Sequence, residues 1–293
     1  MSDVFIPTHY VQQYTTNVQL LLQQKGSKLR DLVMTGSHKG KAAAAVDQFG
    51  AVTAQKRSTR NEPVAFGVVP TDRRWVYPND YDWYDSIDNI DKLRMLIDPQ
   101  SSYVQSGVYA LGRAIDDEII SAFFGDAKTG EAGGTTTSFP SSQQVAVNTG
   151  GTGSGLNVAK LREGKKILMA NEVDVESDPL YCVITAKQHD DLLNQIQVVS
   201  TDFNNRPVLV DGKLNQFLGI NFIHCERLQL NGSSQRRIPL FAKSGMYLGM
   251  WDDVKTDVRE RGDLRGKPVQ VGVMGTFGAT RLEEKKVVEL VCA

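Results

Sequence analysis

The sequence predicts an α+β fold, one long helix packed against strands that come mostly from the end of the chain. Two observations carry that reading. Val104, Val108, Leu111, Ile115, Ile119 and Ala122 recur every three or four positions, which lines one face of a helix. The closing stretch instead breaks into short apolar runs (Pro239 to Ala242, Met246 to Met250, Val254 to Arg259, Val269 to Phe277, Lys286 to Val291) punctuated by Gly262, Gly266 and Gly275. No internal repeat interrupts this order. With 293 residues, 41 % of them apolar, the chain can build one large or two modest domains.

The elements follow in order. Val11, Tyr14, Val18, Leu21 and Leu22 predict an amphipathic helix over His9 to Lys25, too isolated to be stable unless docked on something else. Two strongly polar extended arms then surround a Pro- and Gly-punctuated turn. Such a hairpin cannot bury itself and should lie on a neighbour. The next segment, Asp80 to Asp98, is acidic, with Tyr77, Tyr81, Trp83 and Tyr84 around its start. Asp98 as N-cap, Pro99 in the first turn and Gly125 at the end frame the long helix from Asp98 to Phe124, about 40 Å in length.

Residues 126–156 are rich in Gly, Ser and Thr and read as a surface loop with a short strand at Val145 to Val147. A helix is expected from Asn157 to Ala170, a buried strand from Leu180 to Thr185, a helix from Ala186 to Gln197, and a further buried strand from Phe217 to Ile223. The 157–240 region then forms a compact insert between the long helix and the late strands.

Composition narrows the function. A formal net charge of −1, from 33 basic and 34 acidic residues, argues against a dedicated nucleic-acid binder. Cys182, Cys225 and Cys292 are few, odd in number and far apart, which suits buried thiols in a reducing compartment. No apolar run is long enough to span a bilayer, and no basic-then-apolar leader opens the sequence, so synthesis in a cytoplasm is expected.

The chemical motifs favour bland readings. Gly151-Thr152-Gly153-Ser154-Gly155 lacks the Gly-Lys-Ser/Thr ending of a phosphate loop and reads as a flexible turn. Cys182, His189, His224 and Cys225 lack the close pairs that structural zinc uses. His189-Asp190-Asp191 falls in a first helical turn, where acids complement the dipole. Arg261-Gly262-Asp263 and Asn231-Gly232-Ser233 match extracellular signals in the wrong compartment. Neither catalytic residues, cofactor nor metal site is expected.

What remains is a set of contact residues. Lys56, Arg57 and Arg60 form a basic cluster near the turn, and Arg73, Arg74, Trp75 and Tyr77 lie on the returning arm. Asp80, Asp82, Trp83 and Asp85 supply the opposite charge and more aromatic surface. Opposite charges on two faces of one subunit set register between copies, and Tyr and Trp are enriched where proteins meet. These eleven side chains are the expected inter-subunit contacts.

The order of these elements, with the phrases Leu180 to Gln188 (LYCVITAKQ), Phe217 to Leu228 (FLGINFIHCERL) and Phe241 to Asp253 (FAKSGMYLGMWDD), resembles the major capsid proteins of tailed bacteriophages, the Hong Kong 97-type fold. The resemblance implies an N-terminal arm (1–44), an extended loop (45–85) and a peripheral domain (86–172) holding a spine helix (98–124) and the Gly-rich loop. It also implies an axial domain (173–240) and return strands of the peripheral domain (241–293). It further implies a homo-oligomeric icosahedral shell of hexamers and pentamers in the virion. That shell would enclose double-stranded DNA without sequence readout, be assembled with separate scaffolding and portal proteins, and have no membrane partner. Two alternatives stand beside it: an encapsulin-like shell for enzyme cargo, separable by whether nucleic acid or protein is packaged, and a cytoplasmic α+β enzyme, separable by gel filtration.

Overall fold

The computed structural model describes residues 23–57, 59–60, 64, 66–88, 100–195, 209–210 and 213–293. The expected helix over His9 to Lys25 lies outside these residues as far as position 22, and Gln23 to Lys25 are not helical. Asp91, Lys92, Arg94, Asp98 and Pro99 also fall outside them.

The first strands are β1 (Met34–Ser37), β2 (Ala43–Phe49), β3 (Thr71–Val76) and β4 (Asn79–Ile87). Helix α1 (Gln100–Phe124) follows, then β5 (Ala127–Thr129), β6 (Thr135–Thr137), β7 (Gln144–Val145) and helix α2 (Val158–Ala170). After β8 (Leu180–Ile184) and helix α3 (Ala186–Leu193) come β9 (Leu209–Val210), β10 (Lys213–Leu214), β11 (Gln216–Phe217) and β12 (Ile220–His224). The chain closes with β13 (Arg236–Ala242), β14 (Met246–Glu260), β15 (Val269–Arg281) and β16 (Val287–Cys292).

Three larger sheets and the two-stranded pair β9-β10 organise these strands. The first runs β1-β14-β15-β4, the second β11-β12-β8-β13-β16-β7, and the third β2-β3-β5-β6. One large core joins the first two: Phe123 and Ile119 of α1, Leu161 and Leu168 of α2, Cys182, Leu240, Leu290 and Phe277 are all buried together. Asn157 caps α2 by accepting from the Lys160 amide at 2.8 Å.

The long strands behave as their sequence dictates. Met246 to Met250 are buried on both faces, whereas most positions after Asp253 are exposed, so β14 leaves the core and carries its hairpin with β15 outward. The two runs expected at Met246 to Met250 and Val254 to Arg259 are therefore one strand, interrupted only by register shifts between Met250 and Lys255.

Four further expectations are corrected. The run Phe217 to Ile223 is not one strand but a tight hairpin of β11 and β12, turned by Leu218 (φ 55°) and Gly219 (φ 76°). The Gly-rich stretch is not all loop, since β5 and β6 extend the third sheet and Thr129 is buried. The hairpin arms are 43–49 and 71–76, because Pro78 cannot donate to the ladder and β4 instead pairs with β15, Trp83 opposite Val273. The insert does not hold a sheet to itself: β8 and β12 share theirs with β16 and β7.

Candidate assembly interface

Strands β2 and β3 form the hairpin base, which is held on the body where Gln48 donates to the Leu282 carbonyl at 2.6 Å. Asp47 and Arg73 face each other across them, and their side chains pair at 2.5 Å in the open. That guanidinium holds the Asp47 carboxyl below its usual range. Trp75 lies under the Arg73 guanidinium at 5.9 Å and donates its ring N–H to the Gly130 carbonyl at 2.7 Å, which ties β3 to the β5–β6 turn.

Period-two geometry sends the neighbouring residue the other way. Arg74 is only 4 % exposed and pairs with Glu284 at 2.6 Å. It is an internal anchor of the hairpin base rather than a free contact residue. This corrects the expectation for Arg74.

Beyond the Gly50 to Pro70 backbone bond no described residue lies in a strand until β3. Phe49 at the end of β2 is 75 % exposed, and among the described residues that follow Val64 is 78 %, Phe66 91 % and Val68 90 % exposed. Lys56, Arg57 and Arg60 sit exposed in the same segment, Arg57 donating to the Thr59 carbonyl at 3.0 Å.

The acidic set divides by strand alternation. Asp80 and Asp82 are exposed on the outer face of β4, where Asp80 accepts from the Thr276 hydroxyl at 2.7 Å. Tyr77 is exposed just before the strand. Trp83 and Asp85 point the other way and are half-buried, Trp83 against Gly107 of α1. Trp83 is therefore largely a packing residue of the subunit, a second correction. Tyr81 is likewise internal, stacked on Phe277 with centroids 4.7 Å apart.

Against that geometry, a family model described as phage capsid protein matches residues 6–293. The chain belongs to the phage capsid protein family. Solved structures agree on the fold. The capsid of cyanophage P-SCSP1u is 14 % identical with a TM-score of 0.76, covering 97 % of this chain and 93 % of that one. The cyanophage Pam1 capsid is 12 % identical at a TM-score of 0.71, covering 100 % and 99 %. The capsid of a native GTA particle is 11 % identical at 0.70, covering 97 % and 95 %. No curated protein matches by sequence. The protein is thus a major capsid protein of the Hong Kong 97-type fold, a structural and non-enzymatic subunit that self-associates into the icosahedral capsid of a virion.

In the capsid subunit the chemical motifs are structural. Among the described residues no group of three or more His, Cys, Asp or Glu converges. Cys182 and Cys225 are buried, and burial pushes both thiols up. His189 accepts from the Leu214 amide at 3.4 Å, and His224 pairs with Glu226 at 2.7 Å. Asp191 does not cap its own helix, as was expected. It accepts from the Leu156 amide at 3.1 Å, while Glu226 caps α3 at the Ala186 amide, 2.6 Å away. Arg261 pairs with Asp263 within its own turn and lowers that carboxyl to about 2. No described helix is long and apolar enough to cross a membrane.

Two buried cations escaped the sequence reading. Arg281 donates to the Phe123 and Gly125 carbonyls at 2.8 and 2.9 Å, closing the end of α1 where the helix dipole is negative. Lys160 donates to the carbonyls of Ser154, Gly155 and Val291 at 2.5, 2.9 and 2.9 Å, so it pins the Gly-rich loop to the last strand. Burial lowers the affinity of both for their proton. The only signal in the sequence was a basic residue beside apolar neighbours, Leu161 and Leu282.

Proposed function

We propose that the capsid subunit closes its shell by laying the 50–70 tip across a neighbouring copy, within hexamers and pentamers that enclose double-stranded DNA. The exposed Phe66 and Val68 carry this reading: two large apolar side chains close together on the surface are what a contact with a second copy would cover. Lys56, Arg57 and Arg60 are then the steering charges of the tip. Asp80 and Asp82, with the exposed Tyr77 beside them, offer it complementary ground on the neighbour, while Arg73 and Asp85 stand at the margin of that contact.

The near-neutral charge suits DNA held by confinement, without sequence readout. Separate scaffolding and portal proteins complete the assembly, and synthesis takes place in the host cytoplasm. Reversing two tip charges, Arg57→Glu with Arg60→Glu, tests the tip. Shells should form in lower yield and rupture at lower temperature, while the isolated subunit unfolds as before. Wild-type yield and heat resistance would remove the tip from the mechanism. Recovery of protein cargo in place of nucleic acid from shells made during infection would remove DNA from it.

A further inference from the structure

Three consecutive acidic residues stand in the middle of α1, and each holds a different part of the capsid subunit. Asp116, fully buried, accepts from four donors of the segment that leads in from the N-terminal arm. These are the Gln24 side chain, the Ser27 hydroxyl at 2.6 Å, the Lys28 amide at 3.0 Å and the Leu29 amide at 3.0 Å. Asp117 forms a two-pronged pair with Arg227, on the turn that leaves β12 and so on the six-stranded sheet. Glu118 accepts from Asn79 at 2.7 Å and from the Tyr81 hydroxyl at 2.9 Å, both at the start of β4 in the long sheet.

Helical geometry explains why neighbours in sequence reach three bodies. Successive side chains leave a helix roughly 100° apart, so three in a row cover most of its circumference. The arm root can cross the helix this closely because Gly112 has no side chain: a Cβ there would lie 2.6 Å from the Gly26 backbone. The crossing segment is bolted to both sheets as well, Arg30 to Asp253 at 2.9 Å on β14 and Lys28 to the His224 carbonyl at 2.9 Å on β12.

We infer that Asp116, Asp117 and Glu118 are positioning residues that fix the angle between the two sheets and the exit of the arm, and through that angle the curvature of the shell. The inference rests on the shell-forming role of the subunit. In a shell built from many copies of one chain every subunit carries the same three anchors, so a change in the geometry they set recurs around each ring and alters where the shell closes. Three separate anchors on one rigid helix define that angle, where a single anchor would leave rotation about it.

The decisive variants act on Asp117, whose pair with Arg227 is half-exposed, where an ion pair contributes little to stability. Asp117→Arg and Arg227→Asp are made singly and together, and shell diameter is measured by electron microscopy alongside thermal unfolding of the subunit. Each single variant is expected to unfold near the wild-type temperature but to lose the uniform shell diameter, giving polydisperse or open particles. The double variant restores the pair with its charges exchanged and should restore the diameter. Single variants with shells of wild-type size overturn the proposal, and so does a double variant no better than its parents. Single variants that fail to fold also overturn it, because the pair would then be a plain stabilising contact. Absence of shells from the unmodified chain would count against the shell-forming role itself.

Discussion

At the scale of single residues, the capsid subunit concentrates its risk in a few buried charges. Arg74 and Arg281 converge on one carboxylate: Arg74 pairs with Glu284 at 2.6 Å, and the Arg281 Nε stands 3.5 Å from the same side chain, near enough for attraction but outside hydrogen-bond geometry. Phe139 lies against the Arg281 guanidinium at 5.1 Å and shares its charge. Removing the negative charge leaves two desolvated cations facing each other. Glu284→Gln should therefore cost roughly 3 kcal/mol or more in urea unfolding, the penalty of a buried pair with one partner gone. A loss below about 1 kcal/mol would mean water reaches the cluster. Sequence reading assigned Arg74 to the surface because Arg73 and Arg74 look alike in a polar run. Only the strand register separates them.

At the scale of elements, α1 is shaped as much by what it omits as by its apolar stripe. Gly107 and Gly112 weaken a helix by about 1 kcal/mol each relative to alanine, so their presence needs a reason. At Gly107 a Cβ would stand 2.6 Å from the Val273 side chain and 2.7 Å from Trp83, and at Gly112 it would meet the backbone of the arm root. The first could be met by a shift of a side chain; the second cannot. Gly112→Ala should thus destabilise the subunit by about 1–3 kcal/mol, against the usual sign for this exchange in a helix. It should also loosen the arm root and speed tryptic cleavage after Lys25 and Lys28, whose side chains are already exposed. A stabilised variant with an unchanged digest would show that the arm root does not depend on the crossing. The hydrophobic spacing of α1 was legible in the sequence. The acidic triplet within it was not, because its partners lie about 40, 90 and 110 positions away along the chain.

At the scale of the whole molecule, the body and the hairpin obey different rules. The body holds one continuous core around Phe123, Leu240, Phe277 and Leu290, sufficient for an independent fold. Among the described residues of the tip, Val64, Phe66 and Val68 lie outside that core and are exposed. Exchanging Phe66 and Val68 together for serine should leave subunit unfolding within about 0.5 kcal/mol of the wild type, as for exposed positions in general. The same exchange should sharply reduce the yield of closed shells, measured by sedimentation. Destabilisation of the isolated subunit would place the tip back on its own body, and normal shell yield would deny it a partner.

The sequence alone determined the elements whose information is local: the 3.6-residue stripe of α1 and the apolar runs of β8 and β13. It also determined the fold class and, through the order of these elements, the resemblance to phage capsids. Only the tertiary structure decided which strands pair, that β4 joins β15 and not the hairpin, and which of two adjacent arginines turns inward. The physical reason is that pairing energy and burial are set by partners distant in sequence. A charge has the same letter whether it faces water, a buried glutamate or another copy of the chain.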